Sequence, residues 1–239
     1  VHVREHRHVV SKAVVIATGL RHDGRREVLG VDIGDSENET FWTEFLGDLN
    51  DRGLTGVKLV ISDAHAGLVK SIGRCFQGST WQRCRVHAMR NMLSVAPRQQ
   101  RQLIASLIRT IFVQPDHDAA VAHLRAVVDQ LEPTAPGVAS RLAGMEADLL
   151  AYTGFPPAHW SKIWSNNPIE RLNRELKRRT DVVGIFPDTA SVIRLVGALL
   201  VEINDEMIAA DRRYIAAASV AEIDGLQPEL PSLPAASRD

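Results

Sequence analysis

The chain of 239 residues has only two cysteines, Cys75 and Cys84, and almost no net charge, with 28 Lys+Arg against 29 Asp+Glu. Two thiols cannot build a disulfide framework, so a reducing, cytoplasmic setting is the expectation. No run approaches ~18 uninterrupted apolar residues, which argues against a membrane-spanning helix. The opening Val1-His2-Val3-Arg4-Glu5-His6-Arg7-His8 lacks the apolar segment of a secretory leader. Disorder as the main state is excluded by ordinary globular composition, 45% hydrophobic and 24% charged. The length suits one good core, or one core with a smaller satellite domain.

A local absence is more informative. From Ala64 to Pro115 there is no Asp or Glu, while Lys70, Arg74, Arg83, Arg85, Arg90, Arg98, Arg101 and Arg109 all fall there. A second basic cluster holds Arg171, Arg174, Lys177, Arg178 and Arg179. Acidic residues gather elsewhere, at Asp32, Asp35, Glu37, Glu39, Glu44, Asp48 and Asp51 and at Glu202, Asp205, Glu206 and Asp211. Segregation of this kind in a neutral chain suggests a surface that meets a polyanion such as nucleic acid. The plainer alternative is that Arg-rich helices simply present solvated faces.

Hydrophobic periodicity sets the element order. Lys12 to Leu20 is β-branched and nearly continuous, a buried strand, and Glu27 to Ile33 is its partner across an Arg21-His22-Asp23-Gly24 turn. Phe41, Trp42, Phe45, Leu46 and Leu49 recur at helical spacing, so Glu37 to Arg52 is predicted as an amphipathic helix ended by Gly53. Val57 to Ser62 is a third strand, Leu68 to Arg74 a short helix, and Thr80 to Arg83 a short fourth strand. A helical run follows: Val86 to about Arg109 with a break at Pro97, Asp116 to Leu131, and Ala139 to Leu150. Gly154 to Pro157 reads as a loop, and Asn167-Pro168 as a helix start with Asn167 as cap, the helix running to about Arg179. A last long helix covers Thr189 to Ala210, and the tail after Ala216, with Pro228, Pro231 and Pro234, is expected to be loose.

Two carboxylates stand out. Asp63 directly follows a buried strand, and strand carboxyl ends are where open α/β sheets place their sites. Glu170, near the start of the basic helix, shares a face with Asn173, Arg174 and Lys177, while Ile169, Leu172 and Leu176 form a stripe to dock on the sheet. A carboxylate beside a row of cations suits Mg²⁺ and a phosphodiester, because Mg²⁺ takes one or two carboxylates and fills its shell with water and phosphate oxygens. Each residue also has a plain reading: Asp63 as a turn or cap residue, and Glu170 as a carboxylate favoured by the helix macrodipole. Cys84-Arg85-Val86-His87 has C-x-x-H spacing, which is half of a zinc site. As a thiol nucleophile, Cys84 lacks an evident orienting acid or oxyanion hole. A more economical place for His87 is beside Asp63, supporting it.

Taken together and in order, SKAVVIATGL, REVLGVDIGDSENETFWTEFLGDLNDRGL, VKLVISDAHAGLVKSI, WQRCRVHAMRNML and NNPIERLNRELKRRTDVVGIFPD resemble the mutator-type transposases of bacterial insertion sequences, from about residue 8 to 210. The resemblance implies an α/β, RNase H-like mixed sheet flanked by helices and interrupted by an all-α insertion. Residues 1–88 would be the first part of the core with its first strand truncated, 89–160 the insertion, 161–215 the second part of the core, and 216–239 a flexible tail. It implies a DDE site in which Asp63 and Glu170 are the second and third carboxylates, binding Mg²⁺ (or Mn²⁺). Cys84 and His87 match the family's C/D-x-x-H signature, and Arg171, Asn173, Arg174, Lys177, Arg178 and Arg179 would contact DNA. Such enzymes cut the element's ends with water and then use the freed 3′-OH to attack target DNA, as oligomers. The family pattern places the first catalytic Asp just upstream of Val1, so the expectation is a chain inactive as it stands. The alternative expectation is a catalytically dead fragment that binds DNA or inhibits transposition.

Overall fold

A computed structural model describes residues 1–36, 38–210 and 213–224. Glu37, Asp211 and the proline-containing end of the chain, named above, lie outside the described residues.

The chain opens with two strands, β1 (His2–Glu5) and β2 (His8–Ser11), paired antiparallel across a two-residue turn. Both turn residues, His6 and Arg7, have positive φ, 46° and 69°. The next hairpin joins β3 (Ala13–Leu20) and β4 (Arg26–Gly34), as predicted, with a bulge between Ala17 and Thr18. Its turn depends on Gly24, whose φ is +80° and where a Cβ would lie 1.9 Å from the carbonyl oxygen of Ile215. That close approach exists because Tyr214 and Ile215 both donate their backbone N–H to the Gly24 carbonyl.

Helix α1 (Glu39–Asp51) starts at Asn38, whose side chain accepts from Thr40 N–H at 2.8 Å. Strands β5 (Leu59–Ser62) and β6 (Thr80–Arg83) pair in parallel, joined by α2 (Ala66–Cys75). Phe45, Leu46 and Leu49 of α1 share one apolar cluster with Ile72, Phe76 and Trp81, so α1 and α2 cover the β5–β6 pair.

Helices α3 (Arg85–Val95), α4 (Arg101–Ile111), α5 (His117–Leu131), α6 (Pro136–Ala143), α7 (Glu146–Leu149) and α8 (Pro157–Ile163) follow, with a break at Pro97 as expected. Two expectations need correction. The helix predicted over Ala139 to Leu150 is two, because it starts earlier, at Pro136, and stops at Gly144. The 154–157 loop is shorter than predicted, because Pro157 opens α8 with the fixed φ a first helical turn needs. The helices bury a continuous core from Ala88 to Ile163, against which Leu59 and Ile61 of β5 also pack.

The basic helix α9 (Asn167–Thr180) leads through β7 (Ile185–Phe186), parallel to β1, into α10 (Thr189–Ala209). Asp188 caps α10 by accepting from Ser191 N–H at 2.6 Å. Leu172 and Leu176 join Val3, Ile33, Phe186, Val192, Val196 and Leu200 in a second cluster. Leu172 and Leu176 of the predicted stripe therefore dock on strands and α10 together, while Ile169 is outside this cluster. The loose tail is corrected for residues 217–224. They form α11 (Ala217–Asp224), on which Val220 is buried and Ser219 Oγ lies 2.5 Å from His159 Nε2.

The chain is mixed α/β, and among the described residues the strands lie in three small sheets, β2-β1-β7, β3-β4 and β5-β6. Among the described residues no helix is long and apolar enough to cross a membrane.

Candidate active site and nucleic-acid interface

The parallel β5–β6 pair puts two motif segments side by side. Ser62 is in register with Arg83, and Cys84 N–H donates to the Ser62 carbonyl at 2.8 Å, so Asp63 and Cys84 leave adjacent strand ends. Ser62 Oγ accepts from Trp81 Nε1 at 2.9 Å and donates to the Asp63 carbonyl at 2.8 Å, fixing the backbone of the exposed Asp63. One carboxylate oxygen of Asp63 accepts from Ala64 N–H at 2.7 Å.

The C-x-x-H segment is then fastened to the start of α9. Arg85 N–H donates to the Trp164 carbonyl at 3.0 Å, and its guanidinium stacks 3.5 Å from the Trp164 ring centre. The buried Cys84 donates through Sγ to Asn166 Oδ1 at 2.8 Å. One turn into α3, His87 Nε2 lies 3.1 Å from Glu170 Oε1. Two placements therefore differ from the sequence reading. His87 finds its partner in Glu170 rather than Asp63. The residue at the α9 cap position is Asn166 rather than Asn167, and its side chain serves Cys84 instead of capping the helix.

Sequence reasoning named Arg85 only as a cation and missed its Trp164 contact, and it missed Trp164 and Asn166 altogether. The doubled Asn166-Asn167 before Pro168 was the available signal, since two short amides at a helix start can divide capping and tertiary bonding between them. His87 Nδ1 is buried without a partner among the described residues, and Nε2 is the ring nitrogen that faces Glu170.

No group of three or more His, Cys, Asp or Glu is placed to hold a metal ion among the described residues. Asp63 and Glu170 each offer a cation only carboxylate oxygen, with water or phosphate left to supply the rest. That donor set is all hard oxygen and suits Mg²⁺ better than zinc.

The positive charge is smaller than the sequence suggests. Within the acid-free stretch, Lys70 and Arg74 pair with Glu39, Arg83 makes a two-pronged pair with Asp148, and Arg85 is stacked between Trp164 and Phe112. On α9, Arg178 and Arg179 both bond Glu175, and those two bonds hold its carboxyl down to about 2. Among the described residues Arg171, Arg174 and Lys177 have no carboxylate partner and are exposed, as is Asn173. They are the cations of this helix that remain available to an anion.

Comparison with known proteins gives one family throughout. Residues 1–210 match the family model described as Transposase, Mutator family. The chain is 49% identical over 213 residues to the transposase for insertion sequence element IS1081 of Mycobacterium tuberculosis, covering 89% of this chain and 51% of that protein. It is 41% identical over 210 residues to the ISRM5 transposase of Rhizobium meliloti, covering 88% and 53%. It is 40% identical over 216 residues to the transposase for IS256 in transposon Tn4001 of Staphylococcus aureus, covering 89% and 55%. The chain thus spans about half the length of the curated relatives it matches.

Proposed function

The chain belongs to the Mutator family of transposases, and from that premise we propose that it is the catalytic part of an insertion-sequence transposase, cutting and joining DNA strands with a divalent cation. The observation that carries this reading is the joining of the C-x-x-H segment to Glu170 through the His87 contact, at the end of a strand pair that also delivers Asp63. The fold we assign is RNase H-like, with the helical run from α3 to α8 as its insertion.

Asp63 and Glu170 would hold Mg²⁺ or Mn²⁺, which supplies charge stabilisation to an in-line displacement at phosphorus. His87 Nε2 lies against one oxygen of Glu170, and the other oxygen is left for the site. Asp63 likewise has one oxygen on Ala64 N–H. Arg171, Arg174 and Lys177 would bind backbone phosphates, which positions DNA without reading its sequence. Asn173, on the Glu170 face, would add an amide contact. The partner is therefore DNA, both the element's ends and its target, and the working form a homo-oligomer.

The test is Mg²⁺-dependent cleavage of a DNA carrying the element's ends by the transposase polypeptide that contains this chain. Asp63→Asn and Glu170→Gln are each expected to lower the rate ~10²- to 10³-fold, the scale on which losing one stabiliser of transition-state charge acts. Undiminished cleavage by the doubly substituted protein would overturn the reading.

A further inference from the structure

On the flank of α9 turned away from Glu170 lies a cavity of about 380 Å³, bounded also by α8, α10 and the segment around Tyr214. Three cations line it, Arg26, Lys162 and Arg171, over an apolar floor that includes Leu172 and Met207. Two of them are held in place by the same aromatic ring: Arg26 lies 4.7 Å and Lys162 5.1 Å from the centre of Tyr214. Tyr214 is itself fixed, its hydroxyl donating to the Lys162 carbonyl at 3.2 Å and its N–H to Gly24. The one carboxylate in the lining, Glu175, is committed to Arg178 and Arg179 outside the cavity. Among the described residues no carboxylate pairs with Arg26, Lys162 or Arg171.

Like charges gathered from three separate parts of the chain repel one another, and the Tyr214 ring offsets this for Arg26 and Lys162 but not for Arg171. A bound anion removes the repulsion. We propose that this cavity is a phosphate pocket that grips the DNA backbone, separate from the carboxylate pair and on the other flank of the same helix. Arg171, Lys162 and Arg26 contact phosphate oxygens, and the apolar floor takes the sugar beside them. The proposal rests on the reading of DNA as the substrate. With Glu170 on one flank of α9 and the pocket on the other, a gripped strand is held at a set offset from the catalytic carboxylates.

The experiment measures anisotropy of a labelled 20-base-pair duplex against the whole chain over a range of salt concentrations. Arg171→Gln and Lys162→Gln are compared with Arg109→Gln, an exposed arginine on α4. Arg171 and Lys162 are exposed and have no carboxylate partner among the described residues, so Arg171→Gln should leave the thermal midpoint unmoved and Lys162→Gln should lower it only slightly, by loss of the contact with the Tyr214 ring. Each is expected to lower the slope of log K against log salt by about 1, near tenfold in affinity at 0.1 M salt relative to 1 M, with Arg109→Gln unchanged. Equal losses in all three variants would assign the effect to general surface charge and overturn the pocket. So would complete competition by millimolar thymidine 5′-monophosphate, which would make a free nucleotide the occupant. Unchanged slopes in a parent chain that still binds DNA would overturn the pocket alone, leaving the transposase reading standing. A parent chain that binds no DNA would overturn both.

Discussion

His87 Nε2 lies 3.1 Å from one oxygen of Glu170, and on the proposed reading this makes His87 a positioning residue with a specific signature. Removing the ring leaves the carboxylate free to rotate, whereas a side chain that returns an N–H to the same place restores it. His87→Ala is expected to lower metal-dependent cleavage by roughly 10- to 100-fold, the usual effect of losing a group that orients a metal ligand. His87→Gln should recover most of that loss. Equal activity in both variants would mean that the contact at 3.1 Å does not matter to the reaction. A second residue-scale feature is the turn between β1 and β2. Two-residue hairpins of this twist favour Asn-Gly because both positions need positive φ, and here they are His6 and Arg7. Arg7→Gly is expected to stabilise the chain by about 1 kcal/mol, read from urea unfolding. The opposite argument applies at Gly24, where Gly24→Ala should cost more than about 1 kcal/mol, since the Cβ meets a backbone carbonyl that cannot swing aside.

Elements were legible where their pattern was local. The β3–β4 hairpin and helices α1, α5 and α10 carry their own periodicity and caps, and the sequence placed each of them to within two residues. What escaped were pieces whose reason lies elsewhere in the chain. Strand β7 is two residues long and exists because β1 offers it an edge. Helix α11 is unremarkable in sequence and is held by partners far away, His159 on Ser219 above all. The pairing of Cys84 with Asn166, and of His87 with Glu170, joins segments some eighty residues apart that no spacing rule connects. Docking of α11 has a pH consequence. Burial holds the His159 imidazole below its ordinary value, with Glu222 pulling weakly the other way. The unfolded chain therefore takes up this proton first as pH falls. The stability concerned is complete above about 6.5 and is lost as pH drops through the folded value. Hydrogen exchange in α11 should accelerate relative to α5 between pH 7.5 and 5.5, and His159→Gln should remove that difference.

At the scale of the molecule, charge and core tell different stories from their sequence counterparts. The acid-free stretch promised a broad basic face, yet half of its cations have partners within the chain, Lys70 and Arg74 at the surface against Glu39, and Arg83 and Arg85 against Asp148 and Trp164. The partners lie far from the stretch in sequence, so composition alone could not reveal them. The helical run from α3 to α8 has its own core, but β5 packs into that core through Leu59 and Ile61. The strand that ends at Asp63 is thus supported from one side by α1 and α2 and from the other by the helical run. On this account the helices do more than separate two carboxylates in sequence. On the proposed reading they brace the strand pair that ends at Asp63 and Cys84 and the α3–α9 contact between His87 and Glu170.

The central claim is that Asp63 and Glu170 serve one cation. Titration of the chain with Mn²⁺, followed by electron paramagnetic resonance of the free ion, addresses it without reference to catalysis. The account predicts a bound ion in the parent protein that is released by Asp63→Asn and by Glu170→Gln alike, with the fold intact by circular dichroism. Mn²⁺ binding that survives either substitution unchanged would contradict it.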